Sequence, residues 1–446
     1  MKCQENVTDS PVQSIRSIED HRVIDQDYHA EKLQESLHDG PYWTEGIHNP
    51  GWLTVLGTWI TYFVCAGTTS SWGVFQAEYN KMYSNEIVVS VIGSTAAAVS
   101  MLGILATSLI YRIGIRYTML LGASVSTVAL ILACFSTELW QLFMTQGFIF
   151  GLGLCLVFSS PATLVSQWFV KRRALVNAIA WSGATIGPMI SANGFQALLT
   201  TFGRQLTLAI MAGAVFVLLL VAVILSRPRY SVIHSTNNTP NNMTKYDDEH
   251  PSEKSLLNTR FILTLFLSFA YPFHWQTIAF LAPSYAQHVG ASSALAASTI
   301  IILFATTTIS RIVFGYIADR FGRMNVLMIT LSMNAIFIMA FWRYANTFPM
   351  FAVFCGLLGI FGGHWPNMRP VIISDLVGMK KAQKAVCVTY AFAVPGCLAG
   401  NPFISYIHSR YGWTVAIQII GVFGAFSTLA ALAVRFMTNK QVLAIV

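Results

Sequence analysis

From residue 51 onward the chain is a succession of apolar runs, each long enough at about 20 residues to cross the core of a bilayer, separated by short polar connections. The runs fall near 52–75, 88–110, 117–135, 140–163, 174–198, 207–226, 261–284, 294–317, 325–342, 349–373, 384–406 and 413–436. They predict an all-α membrane protein of twelve transmembrane helices. The longest polar interruption contains Asn237-Asn238-Thr239-Pro240-Asn241-Asn242 and Asp247-Asp248-Glu249, a composition suited to a flexible linker. The expected division is therefore a disordered tail at 1–50, a six-helix half at 51–226, a linker at 227–260, a second six-helix half at 261–436 and a short tail at 437–446.

Composition strengthens this picture. Hydrophobic residues make up 54% and charged residues 10%, against about 25% charged in ordinary globular chains, and mean hydropathy is +0.57. The net charge of +8 does not point to nucleic acid, because the basic residues lie in short loops between apolar runs and so set orientation. Ten acids crowd residues 1–50, which also lack the apolar core and cleavage site of a signal peptide. The first span is then expected to target the chain to the membrane. Six of the seven cysteines fall inside apolar runs and none forms a C-x-x-C pair, so neither a disulfide framework nor a metal site is implied. No nucleotide-binding loop or nucleophile-base pair appears, and no cofactor or enzymatic activity is expected.

Loop charge predicts the topology. One set of connections carries Arg112 and Arg116; Lys171, Arg172 and Arg173; Arg227, Arg229, Lys245, Lys254 and Arg260; Arg320 and Arg323; and Lys380, Lys381 and Lys384. The alternate set carries only Lys81, Arg204, Arg343 and Arg410. The first set is expected in the cytoplasm, together with both termini, in what is expected to be the plasma membrane. The halves also repeat: Lys171 and Lys380, like Gly187 and Gly396, are 209 positions apart, and Arg112-Ile113-Gly114 precedes Arg320-Phe321-Gly322 by 208. Parallel six-helix repeats with a substrate site between them are one known transporter architecture.

The segment Gly315-x-x-x-Asp319-Arg320-x-Gly322-Arg323 resembles the loop signature of the major facilitator superfamily. A carboxylate and guanidinia at a helix end can clamp a neighbouring helix in one conformation and release it in another, which makes Asp319, Arg320, Arg323, Lys171, Arg172 and Arg173 gating candidates. The first-half copy is degraded, with Tyr111 in the acid's place and Thr107 in the glycine's. Within the superfamily, Trp168 to Gly187 resembles the loop and fifth helix of monocarboxylate-porter-like proteins, especially fungal members, with further echoes in Gly73-Val74-Phe75-Gln76, Pro283-Ser284-Tyr285-Ala286 and Gly400-Asn401-Pro402. There are departures. The lysine that animal-type carriers bear in the first helix is missing from Gly67-Thr68-Thr69-Ser70-Ser71, and Thr307 stands in the acid's place one turn from Arg311. Gly183-x-x-x-Gly187-Pro188 resembles part of the exporter motif of drug antiporters, although Ala174, Ser191 and Ala192 replace its other glycines.

Arg311 is the sharpest candidate in the chain. It lies eight residues before Asp319, hence about 12 Å inside the surface that Asp319 marks, at a depth where a charge costs at least about 2.5–3.5 kcal/mol. It reads as an anchor for an anionic or strongly polar substrate, or as a structural arginine satisfied by backbone carbonyls and water. No carboxylate lies mid-span, so a proton-coupling acid is missing and His274 or His364 would have to titrate instead, or coupling is absent. Gly362-Gly363-His364-Trp365-Pro366-Asn367-Met368-Arg369-Pro370 should break the tenth helix, a feature tolerated where it lines a cavity or is packed in protein. There His364, Asn367 and Arg369 are path candidates, with a cytoplasmic snorkel beside Asp375 as the other reading of Arg369. Tyr271, His274 and Trp275, around Pro272 in the seventh helix, read as a substrate wall or as aromatic packing. Gly147/Gly151, Gly183/Gly187 and Gly396/Gly400 are spaced for close helix packing.

The expectation is a secondary active carrier, acting as a monomer in the bilayer, that moves a small organic molecule by alternating access. The resemblance implies organic acids, while the missing lysine and mid-span acids and the aromatic wall favour a larger, less polar metabolite exported from a fungal cell. Proton-linked monocarboxylate uptake and a non-transporting receptor are the alternatives. The topology makes a direct prediction: the sequons at Asn6, Asn237 and Asn242 all fall on the basic side and stay unglycosylated. Endoglycosidase treatment of the protein from a eukaryotic host should leave its mobility on a gel unchanged, and a shift would reverse the orientation.

Overall fold

The computed structural model describes residues 46, 48–83, 86–229 and 258–438. The expected tail, most of the linker, the C-terminal tail and the three sequons lie outside the described residues. All regular structure among the described residues is helical. Six spans precede the linker: α1 (Gly51–Ser70, continued by Trp72–Met82), α2 (Glu86–Ser100, continued by Gly103–Ile113), α3 (Ile115–Cys134), α4 (Leu139–Ser159 through a π-helical turn at Phe143–Ile149), and α5 and α6, the parts of Arg173–Leu225 before and after Gly203. Six follow it: α7 (Thr259–His288), α8 (Ser293–Phe321), α9 (Arg323–Ile336, prolonged to Tyr344), α10 (Phe348–Phe361, continued by Trp365–Val377), and α11 and α12, the parts of Met379–Thr438 before and after Gly412.

Among the described residues, seven helices are long and apolar enough to cross a membrane, and the bent pair Val88–Ser100 and Gly103–Ile113 makes an eighth. Two of these, at 53 and 58 residues, are far too long for one crossing. Each reverses at a glycine, Gly203 with φ 73° and Gly412 with φ 80°, a left-handed conformation that a Cβ would strain. The two turns stand 209 positions apart, the repeat distance read from the sequence. Dividing both gives ten spans. The other two are α1 and α7, the first helix of each half, which are diluted by Thr54, Thr58, Thr61 and Thr68 in one and by Ser268, His274 and Thr277 in the other, all buried. The polar character of these two helices is turned inward.

Within each half the glycine pairs bring backbones together. A Cβ at Gly183 or Gly187 would strike the carbonyls of Trp59 or Phe63 on α1, and one at Gly396 would strike Phe269 O on α7. This is the close approach that small residues permit between membrane helices. The α10 break falls at Gly362 and Gly363, where a Cβ would run into the Trp275 ring or Thr307. The two glycines therefore let α10 close onto α7 and α8.

Gly183→Val should disrupt the α1–α5 contact. Overpacking of this kind costs about 1–3 kcal/mol, so the variant should show a lowered unfolding temperature and less monodisperse protein in detergent. Gly213→Ala, where nothing lies within 4 Å of an added Cβ, is the matched control; equal behaviour of the two would refute the packing role.

Candidate functional site

The two halves meet along an antiparallel seam between α5 and α8 that begins at the charged loop signature. Asp319 accepts hydrogen bonds from the Ala174 N–H (3.0 Å) and the Leu175 N–H (2.9 Å) at the start of α5. The first amides of a helix have no intrahelical acceptor, and the helix dipole favours an anion there. One turn deeper, Gly315 packs on Ala178. Next, Arg311 Nη1 donates to Trp181 O (2.9 Å), and then the hydroxyls of Thr185 and Thr308 meet at 2.6 Å. The partners advance along α5 as they recede along α8, in steps of three or four residues, so a single face of each helix makes the whole seam. From Ala174 to Thr185 it runs eleven residues, about 16 Å, from the surface to the middle of the protein.

The outer end carries a small ion network. Arg323 Nη1 lies 2.7 Å from Asp375 and its Nε 3.5 Å from Asp319, while Arg173 Nη1 reaches Asp375 at 3.5 Å. Arg323 Nη2 also donates to Val170 O at 3.4 Å. Of the gating candidates, Asp319, Arg323 and Arg173 thus converge. Arg320 instead points outward over the Tyr316 ring at 4.4 Å, and Lys171 and Arg172 are exposed. A second seam, related to the first by the repeat, joins α2 to α11. Tyr111 and Gly103 occupy the positions of Asp319 and Arg311, and Gly103 packs against Cys387. Gln383, 209 positions after Ala174, supplies the polar tie: it accepts from the Thr163 hydroxyl (2.6 Å) and donates to Ser159 O (2.8 Å).

Above these seams lies a cavity of about 180 Å³ shared by both halves. Cys65, Ala66 and Thr69 of α1, Phe158 of α4 and Trp181 and Ala184 of α5 line it from one side. Tyr271, Trp275 and Gln276 of α7, Pro366 and Arg369 of α10, and Tyr390 and Cys397 of α11 line it from the other. Its aromatic floor crosses the boundary at Phe158 and Tyr390, whose ring centroids are 5.2 Å apart.

The sequence candidates separate in this geometry. Tyr271, Trp275 and Arg369 line the cavity. Arg311 does not: it is buried against the Trp181 ring, its Nε donating to Gly363 O (2.9 Å) and its Nη1 to Trp181 O. Both acceptors are backbone carbonyls, one from each half. Arg369 is equally buried, at 4% exposure, yet its Nε has no hydrogen-bonding partner among the described residues. Its guanidinium rests against the ring faces of Tyr390 (4.7 Å) and Trp365 (5.2 Å), contacts that soften but do not neutralise a buried charge. His274 sits behind Tyr271, fully buried and facing Gly424 of α12. His364 lies against Phe314 with its Nε2 2.8 Å from Ile360 O, and Asn367 is fully buried with its amide unpartnered. These three lie off the cavity wall.

Two six-helix repeats around a shared cavity, latched together on one face, are the build of a membrane transporter. The chain belongs to the major facilitator superfamily, whose family model matches residues 54–306 and 264–443. It is 30% identical over 334 residues to the uncharacterized transporter ESBP6 of Saccharomyces cerevisiae, covering 73% of this chain but only 50% of that protein. It is 27% identical to the agnestins efflux protein AgnL12 of Paecilomyces divaricatus (81% of this chain, 82% of the relative). It is 26% identical to monocarboxylate transporter 12-B of Danio rerio (85% of each chain). The fold is similar to that of the superfamily transporter FucP in its outward conformation, with a TM-score of 0.66 and 14% identity over 86% of this chain and 98% of that one. The resemblance to monocarboxylate-porter-like and fungal transporters therefore stands.

The two arginines should respond differently to neutralisation. Arg311→Gln leaves two buried carbonyls short of a charged donor and should lower stability by about 2–3 kcal/mol. Arg369→Gln removes a buried cation without an ionic partner and should leave the unfolding temperature in detergent unchanged or raised. Equal losses in the two variants would contradict the assignment.

Proposed function

We propose that the protein is a secondary active carrier that moves a small organic molecule by alternating access, with the inter-half cavity as its binding site. The observation that carries this reading is a cavity built from both halves, with the α5–α8 and α2–α11 seams holding the halves together on the Asp319 side. Breaking the ties of Asp319, Arg311, Thr308 and Gln383 would open that side, and the cavity would then face the other compartment. Arg369 offers the cavity a cation, and Trp181, Phe158, Tyr271, Trp275 and Tyr390 give it apolar walls. The substrate this fits is an organic acid or a metabolite with an acidic group on an apolar or aromatic body.

The loop charges favour an orientation with the Asp319 face and both termini in the cytoplasm; a monomer in the plasma membrane completes the proposal. Export of a secondary metabolite is favoured by similarity to a fungal protein whose name describes efflux. Proton-linked monocarboxylate uptake is the second reading, favoured by the similarity to a monocarboxylate transporter. It lacks a mid-span acid to carry the proton.

Cys397 on the cavity wall provides a test that needs no known substrate. With Cys3, Cys65 and Cys134 replaced by serine, a membrane-impermeant maleimide should reach Cys397 from the side opposite Asp319. Asp319→Asn, which weakens the hold on the α5 N-terminus, should raise labelling from the Asp319 side severalfold. Labelling from the Asp319 side alone, or none gained in the variant, would refute the gate. Protein-dependent flux of labelled organic acids into vesicles then separates a carrier from a receptor, which would bind without flux.

A further inference from the structure

Resting on that reading, we infer that Gln276 makes the cavity a two-ended site: Arg369 receives the carboxylate of an elongated organic acid, and Gln276 receives a neutral hydroxyl or carbonyl group at its far end. The first ground is which polar groups of the lining are already engaged. The Thr69 hydroxyl donates to Cys65 O at 2.8 Å and the Ser100 hydroxyl to Ala97 O at 2.7 Å, so both are committed to their own helices. Gln276 lies half-buried on the α7 wall, and none of the hydrogen bonds among the described residues engages its amide. That amide presents both donors and an acceptor. An apolar group brought against it costs its hydration, whereas a hydroxyl or carbonyl replaces that hydration with a hydrogen bond.

The depth of Gln276 follows from the packing of α7 on α11. Arg369 rests on the Tyr390 ring at 4.7 Å, beside the aromatic floor. Above Tyr390, Ala393 and Cys397 also line the cavity, climbing one face of α11 in steps of three and four residues. Three residues further on, Gly400 packs against α7: a Cβ there would meet Thr277 Oγ1 at 3.0 Å and Phe273 Cα at 3.3 Å. Those two residues bracket Gln276, which therefore stands level with Gly400. Ten residues separate Tyr390 from Gly400, about 15 Å of helix rise. Cation and amide thus occupy opposite ends of the cavity, Arg369 toward the Asp319 side and Gln276 away from it. Allowing for the reach of both side chains, a ligand that engages both has its polar groups on the order of 10 Å apart.

This arrangement selects among acids. Between the two ends the wall is apolar, with Trp275, Pro366 and Ala393 along it. An acid whose far end is apolar fills the cavity but leaves the Gln276 amide unpaired, and a site is more selective against such an analogue than shape alone would make it. Gln276 is half-buried, so water competes for its amide and the gain is that of one neutral hydrogen bond, about threefold to tenfold in affinity. Arg369 is the cation of the lining, so the far end favours an uncharged group over a second carboxylate.

The experiment titrates the full chain in detergent by calorimetry with two pairs of acids. The long pair is γ-phenylbutyrate and its para-hydroxy derivative; the short pair is benzoate and its para-hydroxy derivative, which cannot span the cavity. The hydroxyl should tighten binding about threefold to tenfold in the long pair and leave the short pair unchanged. In Gln276→Met the ratio within the long pair should fall to about one, and because both members are measured on the same variant, a general loss of folded protein cancels. Arg369→Gln should weaken both members of the long pair together. A ratio of one in the wild-type long pair, an equal gain in the short pair, or a ratio retained in Gln276→Met each overturns the inference and leaves the carrier reading standing. Absence of binding by all four acids, with no protein-dependent flux of any of them into proteoliposomes, overturns the reading of the cavity as an organic-acid site together with the inference.

Discussion

The rest of the structure depends on how a guanidinium is kept in the middle of a membrane protein that offers it no carboxylate. Arg311 is held by the carbonyls of Gly363 and Trp181, and each of those acceptors exists at that place for a reason in the sequence. Gly363 sits in the α10 break, and a helix break frees backbone groups that would otherwise be bonded within the helix. Trp181 belongs to α5, which can come close because Gly315 and Ala178 keep the seam narrow one turn away. Satisfying one buried charge therefore ties together α5, α8 and α10 and, with them, both halves. Asp319 does the same at the outer end with the opposite sign of charge, and the two ties sit on one face of α8 at a spacing of eight residues.

The internal repeat makes the construction easier to see because its second copy departs from it. At the α2–α11 boundary the acid has become Tyr111 and the arginine Gly103, and packing of Gly103 on Cys387 replaces ionic and carbonyl ties. Gln383 restores part of the polar hold through Thr163 and Ser159 O, without any formal charge. A neutral side-chain bond contributes about 0.5–1.5 kcal/mol, and one to a charged group about 1.5–3. The two seams thus contribute unequally to closure. In the proposed gate, the charged seam sets most of the energy of opening, and the small-residue seam leaves room for helices to move against each other.

Much of this was legible in the sequence and part was not, for a geometric reason. Hydropathy, loop charge and the 208–209 repeat depend on position along the chain, so spans, halves and the reversals at Gly203 and Gly412 follow from them. Distance along a helix also gives depth, which is why Arg311 and Arg369 both stand out. The direction in which a side chain points around the helix is another matter when every face is apolar. Depth alone could not say that Arg369 faces the cavity while Arg311, eight residues from Asp319, faces α5. His274, His364 and Asn367 show the same limit: each sits on a helix that reaches the cavity, and each is turned away from it. Gln383 was recoverable in principle, since it stands one repeat after Ala174, but an amide among alanines and lysines carries no chemical signal until its partners on α4 and the following turn are known.

The contrast between the two arginines also says what kind of site the cavity is. A buried ion without a partner is a standing cost of several kcal/mol, and a protein of this fold has ready means to avoid it, as Arg311 demonstrates with two carbonyls. Nothing comparable is brought to Arg369: Pro366 and Pro370 flank it on α10, Tyr390 and Trp365 offer ring faces, and the opposite wall is aromatic. Rings soften a cation without matching its charge, so in the proposed substrate site Arg369 stays responsive to an anion while remaining tolerable without one. A carbonyl or carboxylate in place of either ring would stabilise the empty protein more and bind an incoming anion less, because the gain on binding is only the difference between the old partner and the new. The apolar setting of Arg369 is therefore consistent with a site in which the missing partner comes from outside the chain.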